Sequence, residues 1–204
     1  MKRNNSRVNR GTTRKRARKK AVRRIKLISL LIIFLLGIFL LTQAPLAQKL
    51  YYPYPYRPII EKYSTMYGVD PLLVISVIRA ESKFLPTSES HKGAQGLMQL
   101  MPETAQWIAE SIGDKDFKQS DLAEPAKNIQ YGVWYIANLQ KEFDDMTLVL
   151  AAYNGGRGHV KKWIQTEQLN LADLRAEDIP FKETREYVDR VKGYYSKYIA
   201  VYAE

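Results

Sequence analysis

A chain of 204 residues allows one modest domain plus an appendage. It carries 32 Lys and Arg against 21 Asp and Glu, for a net charge of +11. Of those cations 13 fall in the first 26 residues with no acid among them, which leaves −2 for residues 27–204, so the basicity belongs to a tail and not to a basic fold. That balance argues against a nucleic-acid-binding domain, and no nucleic-acid partner is expected. With no Cys and two His, His91 and His159, the composition also speaks against a zinc or thiol redox site. No phosphate-binding Gly-rich loop is present, and no cofactor is expected.

Residues 1–26, basic and without aromatics or an apolar period, read as a disordered cytoplasmic tail. Residues 27–48 hold no charge and contain the run LISLLIIFLLGIFLL, about long enough to cross a hydrocarbon layer as a helix. Basic residues directly before it predict a cytoplasmic N-terminus and an extracytoplasmic remainder. The rival is a cleaved signal peptide, but Pro45 two places before Ala47 makes a poor cleavage site, so an uncleaved single-pass signal-anchor is expected. Residues 49–58, with YYPYPYRP, read as a stiff Tyr/Pro spacer.

From residue 59 to 204 the pattern is helix after helix. Ile59 to Tyr67 is short and amphipathic, stopped by Gly68. Asp70 is a good N-cap and Pro71 suits a first turn, and Leu72 to Ala80 holds only Ser76 and Arg79 as polar residues, the pattern of a buried helix. Phe84 to Gln95 reads as loop and Gly96 to Met101 as a short extended segment. Helices are expected from Pro102 to Ile112, from Pro125 with Ile129, Val133, Ile136 and Leu139 on one face, from Met146 to Tyr153, from Gly158 to Trp163, and from Glu183 to Tyr202. The fold class is mainly α.

Glu81 ends the buried helix. The negative end of the helix and nearby apolar surface both disfavour its charged form, which would keep a proton on it near neutral pH and suit it to general-acid work. The same position also suits an ordinary solvated glutamate. No second carboxylate has a comparable setting: Glu103 sits at a helix start and Glu89 in a polar loop. Gln99 is a polar residue inside an apolar run, which is costly without partners.

Four stretches then stand in order: Glu81-Ser82; Ser90 with Gly93-Ala94-Gln95-Gly96-Leu97-Met98-Gln99-Leu100-Met101-Pro102; Ala151-Ala152-Tyr153-Asn154-Gly155-Gly156; and Glu183-Thr184-Arg185-Glu186-Tyr187-Val188. Over roughly Tyr56 to Tyr198 the chain resembles the family 1 lytic transglycosylases, lysozyme-like domains that cleave bacterial peptidoglycan. The resemblance implies that Glu81 is the sole catalytic acid/base. It would protonate the bridging oxygen of the β-1,4 bond between N-acetylmuramic acid and N-acetylglucosamine, then accept the proton of the muramyl 6-hydroxyl as a 1,6-anhydro ring closes. It also implies that Ser90 lies near the substrate N-acetyl group and that Gln99 and Met101 line the groove. Tyr153 matches a tyrosine that hydrogen-bonds the catalytic glutamate, Asn154 sits beside it, and Tyr187 matches an aromatic reaching the site. Ser82 and Glu183 are supporting residues, with Glu183 and Arg185 equally readable as a structural ion pair. Lys92 departs from the small or polar residues expected before Gly-Ala. A hydrolytic muramidase of the same fold and a non-enzymatic peptidoglycan-binding scaffold are the alternatives. The expected partners are glycan strands and the bacterial cell membrane.

Overall fold

A computed structural model describes residues 6–42, 45–166, 169, 171 and 174–203. The chain divides into two units between Tyr51 and Tyr52.

The first unit contains α1 (Ser6–Thr42) and α2 (Pro45–Tyr51). One expectation is corrected here and a second finds no support. The basic tail, expected to be disordered, is helical from Ser6 onward; Lys, Arg and Ala are good helix formers, and no Pro interrupts the run before Pro45. The expected membrane span over residues 27–48 is not found: among the described residues no helix is long and apolar enough to cross a membrane. Inside α1 the uncharged run starts after Lys26 and the helix stops at Thr42, about 24 Å of apolar rise against a hydrocarbon layer of ~30 Å. Residues 43 and 44 lie outside the described set. The start of the Tyr/Pro spacer is also helical, within α2.

The second unit opens with the rest of that spacer laid on the core. Tyr52, Tyr54 and Tyr56 are partly buried against it. The Tyr198 hydroxyl donates to the Pro53 carbonyl at 2.8 Å and the Tyr202 hydroxyl to the Tyr52 carbonyl at 2.7 Å. Arg79 places its guanidinium 4.4 Å from the Tyr52 ring centre and 4.7 Å from that of Tyr194. The C-terminal tyrosines thus hold the spacer through their hydroxyls and ring edges.

Helices follow as α3 (Arg57–Tyr67), α4 (Pro71–Glu81), α5 (Pro102–Ile112), α6 (Pro125–Glu142), α7 (Met146–Gly155), α8 (Arg157–Gln165) and α9 (Lys182–Tyr202). α4 and α5 keep the expected bounds, and the ends that differ elsewhere shift by one or two residues, the usual fraying of helix boundaries. α4 is the central element: Leu73 to Ile78 are all buried, and it lies along α9 and against α3. The Asp70 carboxylate caps it by accepting from the Leu72 N–H at 2.7 Å. α3 and α5 pack on α6, and α7 packs on α6, α8 and α9. Asp145 caps α7 in the same way through the Thr147 and Leu148 N–H groups. A Cβ at Gly155 would stand 2.9 Å from the Thr184 Oγ1, so a side chain at this position would keep the end of α7 from its closest approach to the start of α9.

The segment expected to be extended, Gly96 to Met101, forms no strand among the described residues. It is part of a looped hairpin held by single antiparallel bridges, Glu89 with Gln95 and Gln95 with Leu100. Asn128 of α6 replaces the missing ladder. Its Oδ1 accepts from the Met98 N–H at 2.7 Å, and its Nδ2 donates to the Gln95 carbonyl at 3.0 Å and the Leu122 carbonyl at 2.9 Å. Gly96, at φ +81°, leaves no room for a side chain: a Cβ would meet Asn128 and Leu122 at 2.1 Å.

Candidate active site

Glu81 is the last residue of α4, and the chain turns sharply after it. The Ser82 N–H and Oγ both donate to the Ile78 carbonyl, closing the helix. Lys83 and Phe84 then adopt φ of +51° and +71°, and across the loop Gln99 adopts +48°. Left-handed backbone at non-Gly residues costs on the order of 1–3 kcal/mol and gathers where a site over-determines the chain. Here three such residues follow Glu81 or belong to the sequence motif of the loop.

Burial pushes the Glu81 carboxyl up from its ordinary 4.5 to about 7; the Tyr187 hydroxyl and the Arg190 guanidinium pull the other way and only partly offset it. A carboxyl at that value exchanges its proton near neutral pH, which is what acid–base work demands. Tyr187 is buried on α9. Its hydroxyl is buried without a hydrogen-bond partner among the described residues, and it lies close enough to Glu81 to favour the carboxylate form. Burial first, and then the negative charge of Glu81, hold the Tyr187 and Tyr153 phenols well above their ordinary value, so both remain neutral donors.

Tyr153 corrects one expectation. Its hydroxyl does not donate to Glu81; it donates to the Met98 carbonyl at 2.7 Å. The tyrosine whose hydroxyl favours the charged form of Glu81 is Tyr187. Tyr153 lies close enough to feel the Glu81 charge, and its ring meets that of Tyr135 at 5.4 Å.

Gln99 has the partners its burial demands. Its Nε2 donates to the Ser88 carbonyl at 3.0 Å and the Gly96 carbonyl at 2.9 Å, so both amide protons bind the loop and only Oε1 is left for a ligand. The Ser90 Oγ accepts from the Ala94 N–H at 3.0 Å, closing its own turn and keeping its proton to give. Met98 is fully buried, packed where Gly132 of α6 leaves room for its sulfur. Met101 and Asn154 are half-buried. Glu183 is exposed and pairs with Lys92 at 3.4 Å, not with Arg185. The residue that departs from the family pattern therefore links the loop to the start of α9. Among the described residues no group of His, Cys, Asp and Glu could hold a metal ion.

Three contributors escaped the sequence. Asn128 organises the loop, but one polar residue in the first turn of α6 carries no signal of its three partners. Arg190 acts on Glu81 from an exposed position on α9. Trp107 of α5, 37% exposed, stands beside Tyr135 and Arg157 and walls a cleft of about 760 Å³ that Glu81 does not line.

The site is thus a helical domain built on a buried central helix, with the Glu81 carboxyl at the end of that helix and the Tyr153 and Tyr187 phenols near it. The model of the transglycosylase SLT domain matches residues 58–173. The chain belongs to this family, although the match stops before α9 and Tyr187. The soluble lytic murein transglycosylase of Salmonella typhimurium is 32% identical over 165 residues, covering 76% of this chain and 26% of that protein. The membrane-bound lytic murein transglycosylase F of Desulfosudis oleivorans is 36% identical, covering 72% and 34%. The solved 70 kDa soluble lytic transglycosylase of Escherichia coli superposes with a TM-score of 0.68 at 29% identity, covering 76% of this chain and 25% of that one. The chain thus spans between a quarter and a third of the length of these relatives, and the mainly helical lysozyme-like fold is shared with them.

Proposed function

We propose that this chain is a peptidoglycan lytic transglycosylase with Glu81 as its one acid/base. The observation that carries the reading is Glu81 at the end of the buried helix α4 in a chain of the SLT family, its carboxyl pushed up by burial, with no second carboxylate in a matching setting among the described residues. Glu81, protonated, gives its proton to the oxygen bridging N-acetylmuramic acid and N-acetylglucosamine as that β-1,4 bond breaks. The carboxylate left behind faces the positive charge developing at the anomeric carbon. It then takes the proton of the muramyl 6-hydroxyl, whose oxygen closes on that carbon as a 1,6-anhydro ring. Glycosidases that use water ordinarily need a second carboxylate; here the substrate hydroxyl supplies the nucleophile. Tyr187 keeps the charged form of Glu81 from becoming too costly. Ser90, Gln99, Met101, Tyr153 and Asn154 form the groove, with Ser82 and Glu183 supporting it.

The same reading assigns residues 1–26 to a cytoplasmic tail, 27–48 to a single-pass anchor, 49–58 to a spacer, and 59–204 to a catalytic domain outside the bacterial membrane. It is supported by the uncharged run of residues 27–48 behind a dense basic stretch, and by the relatives that include membrane-bound enzymes.

Digestion of isolated peptidoglycan by the full chain in detergent tests the reading. Wild-type protein should release soluble fragments, while Glu81→Gln should bind glycan and release none. Equal release by both proteins would remove Glu81 from the chemistry.

A further inference from the structure

The first unit carries a concentrated charge that peptidoglycan cleavage does not use. α1 contains no Asp or Glu. Arg18, Lys19, Lys20, Arg23, Arg24 and Lys26 all stand exposed in its last turns before Leu27. No acid within the helix offsets them, so their fields add along ~12 Å of helix rise. Successive residues of a helix turn by about 100°, so these cations do not form one stripe. Arg18, Lys19, Arg23 and Lys26 border a shallow hollow on one side with Val22 in it. Lys20 and Arg24 stand on the other side. Together they make a collar around the helix.

The collar is continuous with the apolar run of the same helix. That run rises about 24 Å inside α1, short of a hydrocarbon layer of ~30 Å. A span shorter than its bilayer draws the flanking side chains into the headgroup layer. Lys and Arg suit that depth, because their stems lie along apolar surface while their charges reach outward. A helix lying flat on a charged surface would turn half of such a collar away, whereas an upright one presents all of it to the surrounding headgroups. We infer that the last turns of α1 before Leu27 bind the anionic phospholipid headgroups of the bilayer that holds the anchor. The arginines take phosphate oxygens in pairs and the lysines act as point charges. Duplex DNA would call on the same charges. A collar joined directly to an apolar run lies at the membrane surface, however, and its cations spread around the helix where a groove binder gathers them on one face.

The collar rests on the single-pass anchor proposed above, and the test keeps the two apart. The full-length chain is placed in phosphatidylcholine vesicles that hold a trace of spin-labelled phosphatidylglycerol or of spin-labelled phosphatidylcholine. Electron paramagnetic resonance reads the fraction of each label held at the protein. The wild type should hold phosphatidylglycerol over phosphatidylcholine by about threefold or more, and added salt should remove most of that preference. Lys19→Gln, Lys20→Gln, Arg23→Gln and Arg24→Gln together should bring the ratio close to one. Gln keeps a good helix propensity, and unchanged circular dichroism shows that α1 is intact. A wild-type ratio near one would overturn the inference, as would an undiminished ratio in the variant. Displacement of the labelled phosphatidylglycerol by duplex DNA would overturn it too and make the collar a nucleic-acid site. Washing the vesicles with alkaline carbonate reads the anchor separately. A chain that washes off yet selects phosphatidylglycerol beforehand would remove the anchor and leave the collar standing; a chain that washes off and never selects would overturn both.

Discussion

The Tyr153 hydroxyl donates a 2.7 Å hydrogen bond to the carbonyl oxygen of Met98, fastening the end of α7 to the loop that carries Gln99 and Met101. Met98 is itself held from below by Asn128. Loop and helix therefore share one backbone anchor. Tyr153→Phe leaves the Met98 carbonyl without that donor and should cost about 1–3 kcal/mol. Thermal unfolding of the variant checks this; an unchanged midpoint would mean the bond contributes nothing net.

Asn128→Ala should be worse. It removes the partner of the Met98 N–H and the donor to the Gln95 and Leu122 carbonyls in one step. Several buried polar groups lose partners at once, so the loss should exceed the Tyr153→Phe cost, at about 3 kcal/mol or more. Activity should fall with it, because the Gln99 loop loses its support. Denaturant unfolding of both variants side by side decides the order, and a milder Asn128→Ala would contradict the anchoring role.

Tyr187→Phe should act on proton affinity. The hydroxyl lowers the Glu81 pKa, so its removal raises it. A general acid fails when it is deprotonated, so the alkaline limb of the pH–rate profile should move to higher pH. An alkaline limb moved to lower pH, or left in place, would show that the hydroxyl does not act on Glu81.

Stability should report the same carboxyl. Glu81 sits at about 7 when folded against an ordinary 4.5, so the folded chain holds this proton more tightly than the unfolded one. That preference stabilises the fold fully below about pH 4.5, declines as pH rises between the two values, and is gone above about 7. The span corresponds to roughly 3 kcal/mol. Glu81→Gln has no such dependence. Its melting temperature should match the wild type more closely at pH 4 and exceed it increasingly towards pH 8. A gap that stays constant across this range would contradict the buried, protonated carboxyl.

Much of this arrangement can be read from the chain. Asp70-Pro71 marks where α4 begins, and the lack of charge from Leu72 to Ile78 marks its burial, so Glu81 falls at the helix end by counting. The helical class follows from apolar periodicity in α6 and the tyrosine spacing of α9. The partners of Tyr153 and Gln99 are different, because they are backbone carbonyls. Any residue presents a carbonyl, so sequence holds no trace of which one will be met 55 residues away. The loop at Gly96 to Met101 reads as extended because its side chains are apolar. Its pairing is instead supplied by the Asn128 amide and by a left-handed Gln99, neither of which alters the apolar pattern. The tail misled in the other direction: charge density suggested disorder, while its Lys, Arg and Ala content favours the helix found from Ser6.

The most direct measurement is mass spectrometry of the new glycan ends released from purified peptidoglycan by the wild-type chain, with Glu81→Gln alongside. Muramyl ends lighter than reducing ends by one water, made by the wild type alone, are the predicted result: one glutamate acting twice, with the substrate's own hydroxyl closing the ring. Reducing ends would contradict it, because water would then be the nucleophile and the chain a hydrolase.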